Sequence, residues 1–237
     1  MKKRHLSILC LALVCTAAPV RAQGSFQNLG FESAVAAGAA GTFVDFSQAF
    51  PGWTGYIGAV QTSGAVYDAT PISTAQFSII DRNFSIPAGT PGGVIQGDFT
   101  AVVISGVSGV NQTFDSTLEQ TSLVPVAAES LQFRAFFNSN GGSGSYFSVT
   151  LGGQPLSLAP LEQSANYTLY AADIHSWAGQ VADLAFTSHT NLQWYIPASL
   201  YLDSIQFSTQ SVPEPAVFAL SALGALLVGW GVLRRRR

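Results

Sequence analysis

Leu131-Gln132-Phe133-Arg134-Ala135-Phe136-Phe137 sets apolar residues at every second position. In an extended chain such residues share a face, so Leu131, Phe133, Ala135 and Phe137 line one side of a strand. Asn138 to Ser145 follows, rich in Gly and Ser, and reads as a flexible hairpin tip. The alternation resumes in Tyr146 to Leu151 with Phe147, Val149 and Leu151 inward, and Gly152-Gly153 then turns the chain.

The same grammar extends in both directions. Strands are expected at Gln76 to Ile80, Val94 to Ile104, Thr117 to Val124, Tyr167 to Ala171, Val181 to Thr187 and Leu200 to Phe207. No long stretch combines a helical period with good caps. The alanine-rich run from Ser33 to Gly41 holds two glycines and reads as a loop. Many short strands with frequent Gly and Pro between them predict an all-β fold, a two-sheet antiparallel sandwich. Residues 23–209 suffice for one such domain, and no fixed-period repeat runs through them.

Two patterns resemble known strands. Asn28-Leu29-Gly30-Phe31-Glu32, followed by Phe50-Pro51-Gly52-Trp53, and Leu200-Tyr201-Leu202-Asp203-Ser204-Ile205-Gln206-Phe207 resemble the first and last strands of galactose-binding-like jelly rolls. That group includes many carbohydrate-binding modules. The resemblance implies a jelly-roll sandwich. It also implies a structural calcium ion on Glu32 and Asp203, hard oxygen ligands that suit Ca²⁺. Ser204 stands where a second acidic residue would follow Asp203.

The two ends read as targeting segments. Residues 1–22 have a basic start (Lys2, Lys3, Arg4), a short apolar stretch from Leu6 to Val14 and Val20-Arg21-Ala22 before an expected cleavage, as in a signal peptide. Both cysteines, Cys10 and Cys15, fall inside it, so the exported chain has neither disulfide nor thiol chemistry. Residues 210–237 hold Pro213-Glu214-Pro215, an uncharged apolar run at 216–233 and Arg234-Arg235-Arg236-Arg237. About 18 residues of helix just cross a bilayer core, and four arginines hold the far end in the cytoplasm. This layout resembles the PEP-CTERM sorting signal. The resemblance implies export, a membrane-anchored precursor and processing by an exosortase-type membrane protease. The product would belong at the cell surface or in an exopolysaccharide matrix.

Charge narrows the chemistry. Between the two targeting segments only Arg82 and Arg134 oppose twelve carboxylates, a net of −10. Nucleic acid is excluded as a partner, because phosphate neutralisation needs clustered Lys or Arg. No spacing selects a pair of carboxylates for sugar hydrolysis. Asp45, Asp68, Asp81, Asp98 and Asp115 fall near expected turns, where Asp bonds backbone. Gly106-Val107-Ser108-Gly109 lacks the last glycine of a nucleophile elbow. His175 reads as a loop residue beside Trp177, and His189 as an exposed turn residue. Trp53 and Trp177 suit a core. In Trp194-Tyr195 adjacent strand residues point to opposite faces, so one is the first candidate for stacking on a sugar ring. The expectation is a non-enzymatic surface protein, structural or adhesive in a polysaccharide layer. The alternatives are a carbohydrate-binding module with a defined glycan and, second, a glycan hydrolase.

Overall fold

The computed structural model describes residues 25–36, 38–70, 74–107, 112–140, 144–191 and 197–212. The expected signal segment 1–22 and, of the C-terminal segment, Pro213, Glu214, Pro215, the span at 216–233 and Arg234 to Arg237 lie outside them. So do Trp194 and Tyr195. Among the described residues no helix is long and apolar enough to cross a membrane.

The chain runs through β1 (Phe43–Asp45), α1 (Phe46–Ala49), β2 (Thr54–Ile57), β3 (Val60–Gln61), β4 (Gly64–Tyr67), β5 (Gln76–Asp81), β6 (Phe99–Val107) and β7 (Thr113–Phe114). It continues through β8 (Ser116–Leu123), β9 (Ser130–Asn138), β10 (Tyr146–Leu151), β11 (Gln154–Pro155), β12 (Ala159–Gln163) and β13 (Thr168–Asp173). A 3₁₀ turn at His175–Trp177, β14 (Val181–His189) and β15 (Ala198–Ser208) complete it. The larger sheet has the order β1-β4-β5-β6-β15-β9-β13-β12, with β7 on β6, and the smaller β11-β10-β14-β8-β2-β3. Within them β6-β15-β9-β13 lies opposite β11-β10-β14-β8. Numbered along the chain, these eight strands stand in the orders first-eighth-third-sixth and fifth-fourth-seventh-second. That is the double Greek key of a jelly roll.

The structure corrects the expected elements at several points. β9 and β10 do not pair with each other as a hairpin: β9 pairs with β13 and β15, and β10 pairs with β11 and β14. The connection crosses from one sheet to the other. Alternation places both strands' apolar faces toward the core without saying which layer each joins. The strand expected from Val94 starts only at Phe99. Gly97 has φ +67°, and the amides of residues 96, 98 and 99 bond to carboxylates of other segments instead of a ladder. The sandwich is also not wholly antiparallel, since β4 and β5 run parallel at Val66↔Ser78 and Tyr67↔Ile79.

The core lies between the sheets. Phe31 packs 5.7 Å from Trp53, Trp53 6.3 Å from Phe186, and Phe186 5.2 Å from Phe133 in an edge-on contact. Phe133 also stacks on Tyr170 at 5.5 Å. Trp53 is buried, and Trp177 is half-buried against this cluster. Gly55 is required by packing: a Cβ there would stand 2.5 Å from Cζ of Phe46, whose short helix closes one end of the core. The Asn28–Glu32 segment forms a hook, not a strand. Trp53 Nε1 donates to Asn28 O at 3.2 Å, Asn28 Nδ2 donates to Pro51 O at 3.2 Å, and Ile205 N donates to Leu29 O at 2.9 Å. The two N-terminal motifs and the last strand, quoted separately in the sequence, thus meet in space.

Candidate functional site

The smaller sheet turns one face to the core and one outward. Along β8, β10 and β14, Leu118, Val149, Leu151, Leu184 and Phe186 are buried. The intervening residues Thr117, Glu119, Tyr146, Ser148, Thr187 and His189 occupy the other face, half-buried or exposed. Register sets them in rows. Tyr56, Thr117, Thr187 and Ser148 are successive partners across β2, β8, β14 and β10, and the next row pairs His189 with Tyr146. The Thr117 and Thr187 hydroxyls are 2.9 Å apart. The result is a sheet face of hydroxyls, carboxylates and two tyrosines.

At one end of this face three side chains form a chain of hydrogen bonds. Ser148 Oγ lies 2.8 Å from His189 Nε2, and His189 Nδ1 lies 2.7 Å from Asp115 Oδ2. A carboxylate only accepts. A neutral imidazole between the two must therefore carry its proton on Nδ1 and accept the Ser148 hydroxyl proton on Nε2. The His189 side chain is 20% exposed, and Tyr146 stacks on it with ring centres 4.3 Å apart and planes 17° apart. Tyr146 itself is 56% exposed. His189 is thus the last residue of a strand with two side-chain partners, not an exposed turn residue, and Asp115 bonds it and not its own backbone. Sequence spacing could not join them, because 41 residues separate Ser148 from His189 and 74 separate Asp115 from it. Further along the same face, burial and the Asp183 charge raise the Glu119 pKa.

Glu32 and Asp203 are both carboxylates that hold one loop. Glu32 accepts the Asp98 amide at 3.0 Å on each oxygen and the Phe99 amide at 3.4 Å. Asp203 is 1% exposed and accepts Gln96 N at 3.1 Å, Thr100 Oγ1 at 2.8 Å and Ser204 N at 2.6 Å. Burial pushes its pKa up to about 6, against the pull of those bonds. The Asp203 to Gln206 register shift in β15 turns Ser204 to φ +51° and frees Ile205 N for Leu29. Among the described residues no group of three or more His, Cys, Asp or Glu stands ready for a metal. Calcium on Glu32 and Asp203 would have to displace N–H donors already aimed at their oxygens.

Beside this latch lies an open depression of ≈ 420 Å³ lined by Asp81, Arg82, Asn83, Asp98 and Phe99. Arg82 Nε bonds Asp98 at 2.8 Å and Gly97 O at 2.7 Å. Asp81 accepts Asn83 N at 2.7 Å, the expected turn geometry, and Tyr67 Oη at 2.6 Å, the main cause of a Tyr67 pKa raised to about 12. Arg134 bonds Gln96 Oε1 and lies 5.1 Å over the Tyr167 ring. Both arginines of the described domain are therefore engaged. His175 keeps to its loop: its amide and its ring both bond Asp173, whose pKa they lower.

No protein-family model matches the chain, and no curated protein matches it. Among the solved structures similar to the chain are two at low identity. The carbohydrate-binding module TmCBM61, solved in complex with β-1,4-galactotriose, is 11% identical with a TM-score of 0.44 over 77% of this chain and 97% of its own. The enzymatically active domain of tailspike protein 4 from bacteriophage CBA120 is 11% identical with a TM-score of 0.35 over 67% of this chain. The match spans 19% of that tailspike chain.

Proposed function

We propose that this is an exported surface protein whose smaller sheet presents a glycan-binding face. The observation that carries the reading is Tyr146, an exposed ring stacked on His189 beside a row of hydroxyls. Pyranose rings bury their C–H faces on such rings, and their hydroxyls need donors and acceptors at the rim. Trp194 and Tyr195 follow His189 closely in sequence and remain candidates for the same role. The face carries Asp115, Glu119 and Asp183 and neither Lys nor Arg among the residues that form it. Uronate polymers would be repelled, so the ligand class is neutral saccharide. An adhesive place in a polysaccharide layer follows from such binding. The Glu119 and Asp183 pair supports glycan hydrolysis less well, since both stand on a flat face and not across a cleft.

The test is a glycan array probed with the full chain in detergent. Neutral oligosaccharides should bind, acidic ones should not, and Tyr146→Ala should weaken binding at least about tenfold, a stacking contact's worth. Uniformly acidic ligands, or full binding by the Tyr146→Ala variant, would sink the reading.

Pro213-Glu214-Pro215, the run at 216–233 and the four arginines support sorting by an exosortase-type protease and a transient membrane anchor. Alanine at Pro213, Glu214 and Pro215 should leave the chain inserted but unprocessed in cells that encode such an enzyme. Equal release of variant and wild type, measured by fractionation, would refute this.

A further inference from the structure

We infer that Ser148, His189 and Asp115 form a nucleophilic triad that hydrolyses esters, with acyl groups carried by the glycan as the substrate class. The substrate class rests on the glycan reading above. The triad itself rests only on geometry. Each contact uses the atom that acyl transfer requires: Ser148 Oγ on Nε2 at 2.8 Å, and Nδ1 on Asp115 Oδ2 at 2.7 Å. Asp115 fixes the tautomer, and Tyr146 holds the imidazole plane by stacking at 4.3 Å. The serine is half-buried on an open face, so a short acyl group on a large scaffold can reach it.

The chemistry closes. Ser148 Oγ attacks the ester carbonyl carbon as its proton passes to His189 Nε2. The donor assigned to the resulting oxyanion is the hydroxyl of Thr187, the cross-strand partner of Ser148. When Thr117 donates to Thr187 Oγ1, the Thr187 proton is left to donate to the oxyanion. The carbon–oxygen bond to the alcohol breaks, and Nε2 returns the proton to the departing alkoxide. Water then attacks the acyl-Ser148 carbonyl, gives a proton to Nε2 and releases the carboxylic acid, while Ser148 recovers that proton. The net reaction is ester plus water to acid plus alcohol, without a further co-reactant.

The test needs no glycan. The full chain in detergent is treated with a fluorophosphonate probe, whose fluoride a nucleophilic serine displaces, and the label is mapped by mass spectrometry. The expected result is labelling at Ser148, loss of that label in Ser148→Ala, and slowing by at least about 100-fold in His189→Gln, the worth of a general base. p-Nitrophenyl acetate hydrolysis should fall in parallel. If His189→Gln proves misfolded by circular dichroism, Asp115→Asn, which keeps the side chain's shape but removes its charge and its hold on the tautomer, serves in its place. No label at Ser148, or equal rates in wild type and the folded variant, would overturn the triad. Labelling without array binding would keep the triad and refute the glycan reading, and array binding without labelling would do the reverse.

Discussion

Phe133→Ala should lower the stability of the domain by about 3–5 kcal/mol, the range for truncating a buried phenylalanine. Phe133 is fully buried on the inner face of β9. Its ring meets Phe186 and Phe147 of the smaller sheet edge-on, at 5.2 and 6.5 Å, and Tyr170 of its own sheet at 5.5 Å. Removing it leaves a cavity between two sheets whose ladders prevent collapse. Both the transfer term and the cavity term therefore apply. Phe136 provides the control. It lies on the opposite face of the same strand, half-buried, 5.6 Å from Tyr201 in a smaller apolar cluster. Phe136→Ala should cost clearly less. Urea midpoints with unchanged m-values would measure both. Equal losses would mean that the alternation of this strand does not define the core.

That alternation shows how far sequence carries. Leu131, Phe133 and Ala135 point inward as their spacing dictates, and Val149 and Leu151 do the same. Period-2 patterning reports a local relation, namely which side chains share a face. It contains nothing about which strand lies alongside, so it predicts a hairpin between β9 and β10, which belong to different sheets. Asn28–Glu32 is legible as a motif, but its resemblance implies a first strand where the structure has a hook. Its Phe31, at φ +60° and fully buried, is strained in a way no composition reveals. The triad is the opposite case. Ser148, His189 and Asp115 are common residues in unremarkable surroundings, and only the register of β10 on β14 brings two of them together. A residue on a strand acquires chemical meaning from its neighbour across the ladder, and that neighbour is fixed by topology.

Asp203 should make the metal-free domain more stable as the pH falls from about 7 to about 5, contrary to the usual behaviour of carboxylates. Its folded pKa of about 6 lies above the unfolded value of 3.8. The folded state thus binds the proton more tightly. The favourable contribution is complete below the unfolded pKa and is lost as pH rises through the folded one, leaving a cost of up to about 3 kcal/mol at neutral pH. Asp68 and Glu119, both raised by burial, act in the same direction. Asp203→Ala removes the largest share of this pH dependence but also the acceptor of Gln96 N, Thr100 Oγ1 and Ser204 N. Stranded buried donors cost about 1–3 kcal/mol each, so the variant should be less stable at every pH, with a flatter profile. Melting temperatures in EDTA between pH 5 and 7 measure both effects. Calcium gives the complementary experiment. If Glu32 and Asp203 share the ion that the jelly-roll resemblance implies, millimolar Ca²⁺ should raise the melting temperature, most at neutral pH where it offsets the buried charge. Glu32→Gln with Asp203→Asn should abolish the rise. A wild-type profile in EDTA that falls on acidification from pH 7 would contradict the raised Asp203 pKa. Equal melting temperatures in calcium and EDTA would leave both carboxylates with the task the structure displays, holding residues 96–100 against the last strand.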